Sequence, residues 1–80
     1  MSARTLTRRF HAAVGMPPGE WLQRERLRLA QRLLESTDDP VELVARRAGY
    51  DSDATMRAQF ASRLKTSPRA YRRTFRAAAS

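Results

Sequence analysis

Arg4, Thr7, Arg8 and His11 recur three and four positions apart, which puts them on one face of any helix they belong to. An arginine can hold the O6 and N7 of guanine with two parallel hydrogen bonds, and a threonine methyl can touch the methyl of thymine. Fifty positions later the same places are filled by Ala54, Arg57, Ala58 and Ala61, with Asp53 one turn ahead. Arg57 is again suited to a guanine edge. Asp53 can accept from cytosine N4 or complement a helix dipole. Arg63, Arg69, Arg72 and Arg73 follow as candidate phosphate contacts, and Ser2, Ser52 and Ser67 begin helices whose free N–H groups suit phosphate oxygens. The competing reading of each such face is a solvated basic surface.

Charge favours the first reading. Sixteen Lys and Arg oppose eight Asp and Glu in 80 residues, for a net charge of +8. Fifteen of the sixteen cations are arginine, the side chain with a planar two-pronged donor for phosphate and guanine. No cysteine is present for a disulfide or a thiolate metal site. His11, the only histidine, has no second ligand and no arranged serine, and neither a glycine-rich phosphate loop nor paired carboxylates occur. The chain therefore reads as a non-enzyme without metal or cofactor. No apolar run approaches the roughly 18 residues a membrane span needs. The start MSARTLTRRF lacks the apolar stretch of a secretory signal, so a cytoplasmic, nucleoid-associated location is expected.

The elements that must position these residues come in two copies. Ser2, Thr5, Leu6, Phe10, Val14, Pro18 and Trp21 are matched at an offset of fifty by Ser52, Thr55, Met56, Phe60, Leu64, Pro68 and Tyr71. Each copy is a capping serine, a helix with apolar residues four apart, a break, a proline and an aromatic. Residues 2–14 form the first such helix, ended by Gly15. Pro18 to Glu35 form a long helix, with Trp21, Leu22, Leu29 and Leu33 on one broad apolar face beside Leu27, Ala30 and Leu34. Arg24, Arg28, Gln31 and Glu35 lie opposite. Asp39 is expected to cap a short helix over residues 41–48, with Pro40 first and Glu42 completing a capping box. Gly49 turns the chain, Ser52 caps a helix to Leu64, and Ser67-Pro68 opens a last helix to about Phe75. Trp21 and Tyr71 are expected as core anchors. With no period-two segment, the chain is all-α.

A short helix, a glycine turn and a longer capped helix make a helix-turn-helix, whose second helix can enter a major groove. The run Val41-x-x-Val44-Ala45-x-x-Ala48-Gly49-Tyr50-x-Ser52-x-x-Thr55-Met56-x-x-x-Phe60, then Ser67-Pro68-x-x-Tyr71-Arg72, closely resembles the AraC/XylS family of bacterial transcription regulators. Arg26, Ala30, Leu33 and Leu34 resemble that family's linker helix. The resemblance implies tandem helix-turn-helix units of homeodomain-like fold joined by one long helix in a single domain of residues 1–80. Residues 1–15 would be the first recognition helix, 16–36 the linker, and 37–80 a complete second unit. It further implies sequence-specific binding to double-stranded DNA. Base contacts would come from Arg4, Thr7 and Arg8 and from Asp53, Ala54 and Arg57. RNA polymerase is an implied partner, and the subgroup fused to an amidotransferase-like sensor domain is the most similar, which implies an N-terminal sensor in the parent.

Two departures stand out. Lys65 occupies the place where the family usually has glycine, at a cost of up to about 1 kcal/mol if positive φ is needed. Met1 aligns with Tyr50, an internal position, so the first unit is expected to be incomplete and the chain to be a C-terminal fragment or the product of a misplaced start. Two alternatives remain: a remnant that pairs with another helical protein, or a basic module that binds RNA or an anionic surface without selectivity.

Overall fold

The computed structural model describes residues 15–79. The expected helix over residues 2–14, its apolar stripe Leu6, Phe10 and Val14, and the candidate site residues Ser2, Arg4, Thr7, Arg8 and His11 lie outside the described residues. Four helices follow among those that are described: α1 (Pro18–Ser36), α2 (Val41–Arg47), α3 (Asp53–Leu64) and α4 (Pro68–Ala79).

Proline starts α1 without a side-chain cap, since Pro18 stands at N1 where its missing N–H is no loss. Serines start α3 and α4. Thr55 N–H donates to Ser52 Oγ at 3.2 Å, and Ala70 N–H donates to Ser67 Oγ at 3.1 Å. The start of α2 differs from the expected capping box. Pro40 is the N-cap, extended at φ −57° and ψ 153°, and no side chain caps it. The Asp39 carboxylate is instead drawn to Arg47 at the other end of the helix. An arginine in reach competes better for a carboxylate than a backbone N–H does.

The corner between α2 and α3 is tight. Tyr50 N–H reaches back to Ala45 O at 2.9 Å, and Gly49 sits at φ 92°. A side chain at Gly49 would be strained by that φ and would come within 3.4 Å of the Arg26 guanidinium stem. Three helices meet inside the corner. Leu27, Ala30, Leu33 and Leu34 of α1 pack with Val44, Ala45 and Ala48, with Tyr50, and with Met56 and Phe60 of α3. Phe60, Met56, Leu34 and Val44 are completely buried, and each such side chain stabilises the fold by about 1.5–3 kcal/mol.

The apolar face of the long helix is broad, as the sequence suggests, but only part of it is covered by the corner. At roughly 100° per residue, Leu27, Ala30 and Leu34 lie at the centre of the face turned to the corner and buried Leu33 at its side, with Leu22 and Leu29 beyond it at the edge. Leu22, Leu29 and Trp21 are accordingly exposed, at 41%, 39% and 38%. Trp21 is thus not an anchor of the described core. Tyr71 is half-buried as expected, edge-on to Phe60 with ring centroids 5.9 Å apart. Phe75 stacks on Tyr71 at the periphery and stays exposed. Gln31 and Glu35, expected on the solvent side, turn to α4, where Gln31 Nε2 donates to Tyr71 Oη and the Tyr71 hydroxyl donates to Glu35.

Lys65 ends α3 at φ 57° and ψ 34°, the only positive φ of a non-glycine residue among those described. Its strain makes a clear expectation. Lys65→Gly should raise stability by about 0.5–1 kcal/mol in urea denaturation, because the relief of left-handed strain exceeds the added chain entropy of glycine.

Candidate nucleic-acid interface

Burial decides which way α3 faces. With Met56 and Phe60 wholly inside, Ala54, Thr55, Arg57, Ala58 and Ala61 are turned out and exposed. Asp53 and Arg57, one turn apart, form an ion pair of 3.1 Å between Asp53 Oδ2 and one terminal nitrogen of the guanidinium. The pair leaves most of the Arg57 donors open to a partner beyond the helix. A groove of about 300 Å³ runs between this face and the start of α4, lined by Val41, Arg57, Ser67, Pro68 and Arg69. Arg69 and Arg73 are exposed, and neither has an ion-pair or hydrogen-bond partner among the described residues. The groove joins two arginines to a helix start. That is suitable chemistry for a phosphate backbone lying beside a base-reading helix.

Two of the arginines expected on phosphates are committed elsewhere. Arg63 grips Glu20 with both prongs, NH1 to Oε1 at 3.0 Å and NH2 to Oε2 at 3.1 Å, while its Nε donates to Gln59 Oε1 at 2.8 Å. Arg72 donates through Nε to the Leu34 carbonyl at 3.1 Å, near the end of α1 where carbonyls lack helical partners. Arg76, which the sequence reading left unassigned, acts alongside it. Its NH1 meets Asp38 at 2.6 Å and its NH2 meets the Thr37 carbonyl at 2.6 Å. Arg63 ties α3 to the start of α1, and Arg72 and Arg76 tie α4 to its end. Spacing on one helix cannot reveal such roles, since the partners on the other elements lie 38 to 43 residues away in sequence.

A second groove, of about 460 Å³, lies between α1 and the α2–α3 corner, lined by Leu22, Glu25, Arg26, Leu29, Arg32, Ala48 and Gly49. Among the described residues no group of three His, Cys, Asp or Glu side chains could hold a metal ion. No helix among them is long and apolar enough to cross a membrane.

This architecture, a capped helix projecting from a glycine corner with an arginine-lined groove at its flank, is that of a helix-turn-helix DNA-binding unit. Residues 1–74 match the family described as a helix-turn-helix domain. The chain is 43% identical over 75 residues to the helix-turn-helix-type transcriptional regulator Rv1931c of Mycobacterium tuberculosis, covering 94% of this chain and 29% of that protein. It is 36% identical over 73 residues to an AraC-like transcription regulator of Streptomyces antibioticus, covering 91% of this chain and 24% of the relative. The chain thus spans less than a third of either regulator. Among solved structures, the DNA-binding domain of AdpA, a global transcriptional factor crystallised with a target DNA, is similar with a TM-score of 0.91. The identity is 45%, over 96% of this chain and 69% of that one. The C-terminal domain of the response regulator yesN from Fusobacterium nucleatum shares the fold, with a TM-score of 0.83 at 24% identity, over 90% of this chain and 70% of that one. The chain belongs to the AraC-type helix-turn-helix family, whose members are DNA-binding transcription regulators and not enzymes.

Two measurements follow from the division among arginines. Arg72→Ala should destabilise the fold by about 1–3 kcal/mol in urea denaturation, because a charged hydrogen bond to a helix-end carbonyl is lost. Arg73→Ala should change stability by less than about 0.5 kcal/mol, yet flatten the slope of log K against log salt for DNA binding by about 0.9.

Acid should act through the clamps. Hydrogen bonds from Arg63, and then from Arg24, hold the Glu20 carboxyl below its ordinary 4.5, and Arg76 does the same for Asp38. A carboxyl with a depressed folded value contributes stability that is fully present above its unfolded value and is lost as pH falls through the folded one. Glu20→Gln should therefore make the denaturation midpoint less sensitive to pH below 4.5 than it is in the parent chain.

Proposed function

We propose that residues 1–80 act as one DNA-binding domain that addresses two successive major-groove faces of a duplex. Residues 1–15 supply one recognition helix, 16–36 the connecting helix, and 37–80 the second unit. Arg4 and Arg8 contact guanine edges and Thr7 a thymine methyl, while Asp53, Ala54 and Arg57 contact bases from α3. The phosphate backbone is held by Arg69 and Arg73, and by N–H groups at the helix starts marked by Ser2, Ser52 and Ser67.

The observation that carries this reading is the orientation of α3: Met56 and Phe60 are fully buried, so Arg57 and its neighbours face outward beside the Arg69 groove. The length of α1 is in keeping with it. Nineteen residues at about 1.5 Å each span about 29 Å, close to the roughly 34 Å repeat of DNA. The likeness to the AdpA domain, which was crystallised on a target DNA, supports the same reading.

A sensor domain preceding this one in a longer regulator, contact with RNA polymerase, and a place in the bacterial cytoplasm beside the nucleoid complete the proposal. They follow from the kind of regulator that the family comprises.

The test is binding to duplexes selected from a random pool, against scrambled controls, across a range of salt. Arg57→Ala should cost about 1–3 kcal/mol on the selected duplex by relaxing preference at one base pair, with little change on scrambled DNA. Equal loss on both would remove Arg57 from the base contacts.

A further inference from the structure

Six side chains of α3 can form hydrogen bonds, and five of them already have partners inside the domain. Asp53 and Arg57 pair with one another at 3.1 Å. The Thr55 hydroxyl lies 3.0 Å from Ser52 Oγ at the cap. Gln59 Oε1 accepts from Arg63, whose other prongs are on Glu20. Among the described residues, only Ser62 of α3 has no partner for its side chain. What the outward face offers instead is methyl groups: Ala54, Ala58 and Ala61, four and three residues apart, are all exposed. Three alanines on the solvent side, opposite a wholly buried Met56 and Phe60, leave a shallow surface that lets the helix backbone approach its partner closely.

We propose that this alanine face is a specificity determinant that reads thymine methyl groups, with Arg57 as the one side chain of α3 placed to grip a guanine beside them. The inference rests on the DNA-binding reading above and deepens it for the second unit. In the major groove thymine presents a C5 methyl, which an alanine can contact without any hydrogen bond. Ala54 and Ala61 lie seven residues apart, or about 10 Å along the helix, which spans about three base-pair steps of 3.4 Å. The second unit should therefore prefer a short thymine-containing segment next to a guanine. It discriminates by apolar contact where the arginine-bearing face of the first unit would do so by hydrogen bonds.

The test removes the methyls from the DNA and leaves the protein intact. A high-affinity duplex is selected from a random pool, and each thymine in turn is replaced by deoxyuridine, which pairs identically and lacks only the C5 methyl. Fluorescence anisotropy with the 80-residue chain should find two or three neighbouring positions where the replacement weakens binding about fourfold. Ala58→Gly should then reduce the thymine-to-deoxyuridine ratio at one of them. Any general weakening of the helix by glycine acts on both probes and cancels in that ratio. If the chain prefers selected to scrambled DNA but tolerates every single replacement within twofold, the methyl-reading inference is overturned while DNA binding stands. Methyl effects that Ala54→Gly, Ala58→Gly and Ala61→Gly all leave unchanged would also overturn it, since they would then belong to another element. If selected and scrambled duplexes bind alike, the proposed function itself fails.

Discussion

Burial of Met56 and Phe60 in the corner between α1 and α2 is the interaction on which the rest depends. Both side chains are completely removed from solvent, and no polar or charged residue is buried among the described ones. The interior of the corner is apolar, so the azimuth of α3 is set mainly by two side chains four residues apart. Rotation by a single residue would turn about 100° of helix surface, exposing Phe60 and burying Arg57, at a cost of several kcal/mol. The direction of the outward face is therefore a consequence of the core. The small residues make the corner possible: Ala45 and Ala48 allow close approach, and Gly49 takes the positive φ that turns the chain.

Apolar packing fixes rotation but leaves the far ends of the helices to be located, and arginines do this. Glu20 and Arg63 join the start of α1 to the last turn of α3, and Arg72 and Arg76 join α4 to carbonyls near and just beyond the end of α1. An exposed ion pair adds little stability, typically under about 1 kcal/mol. Its value here is geometric, because a bidentate fork fixes both distance and angle. Arg69 and Arg73, without partners among the described residues, stay open to solvent. The count of sixteen cations thus overstates the binding surface, since several of them are paired with carboxylates within the fold.

Helix positions were legible in the sequence because their signals are local. Ser52, Ser67, Pro18 and Gly49 act on the backbone within one turn, and each helix begins or ends where those residues require. The corner core was legible too, from the spacing of Val44, Ala45, Met56 and Phe60. What escaped was anything decided by a distant partner. Asp39 had the local credentials of a cap, but Arg47 claimed it. Arg63 and Arg72 had the appearance of surface cations, yet their partners Glu20 and Leu34 come from a helix that only the fold brings near. Trp21, Leu22 and Leu29 were assigned to the buried face because spacing shows how broad an apolar face is but not how much of it the neighbouring helices cover. The outward face of α3 was located correctly from the opposing stripe, but the pairing of its polar members was not foreseeable from spacing alone.

The internal repeat acquires a sharper meaning once the second unit is seen folded. At an offset of fifty, the positions that pack inward keep their character: Leu6 answers Met56, Phe10 answers Phe60, and Val14 answers Leu64. The outward positions do not. Arg4 stands against Ala54 and Arg8 against Ala58, while Thr7 stands against Arg57. The flanking helix changes as well, for Leu22 stands where Arg72 ties α4 to the Leu34 carbonyl. In the described unit an inward residue has to fit the corner, which limits it to a few apolar shapes. An outward residue has only to suit its own target. The two faces have accordingly been free to diverge, one toward arginine and the other toward alanine. A sequence repeat whose outward positions differ this much is suited to two different targets, which a strictly repeated face would not be.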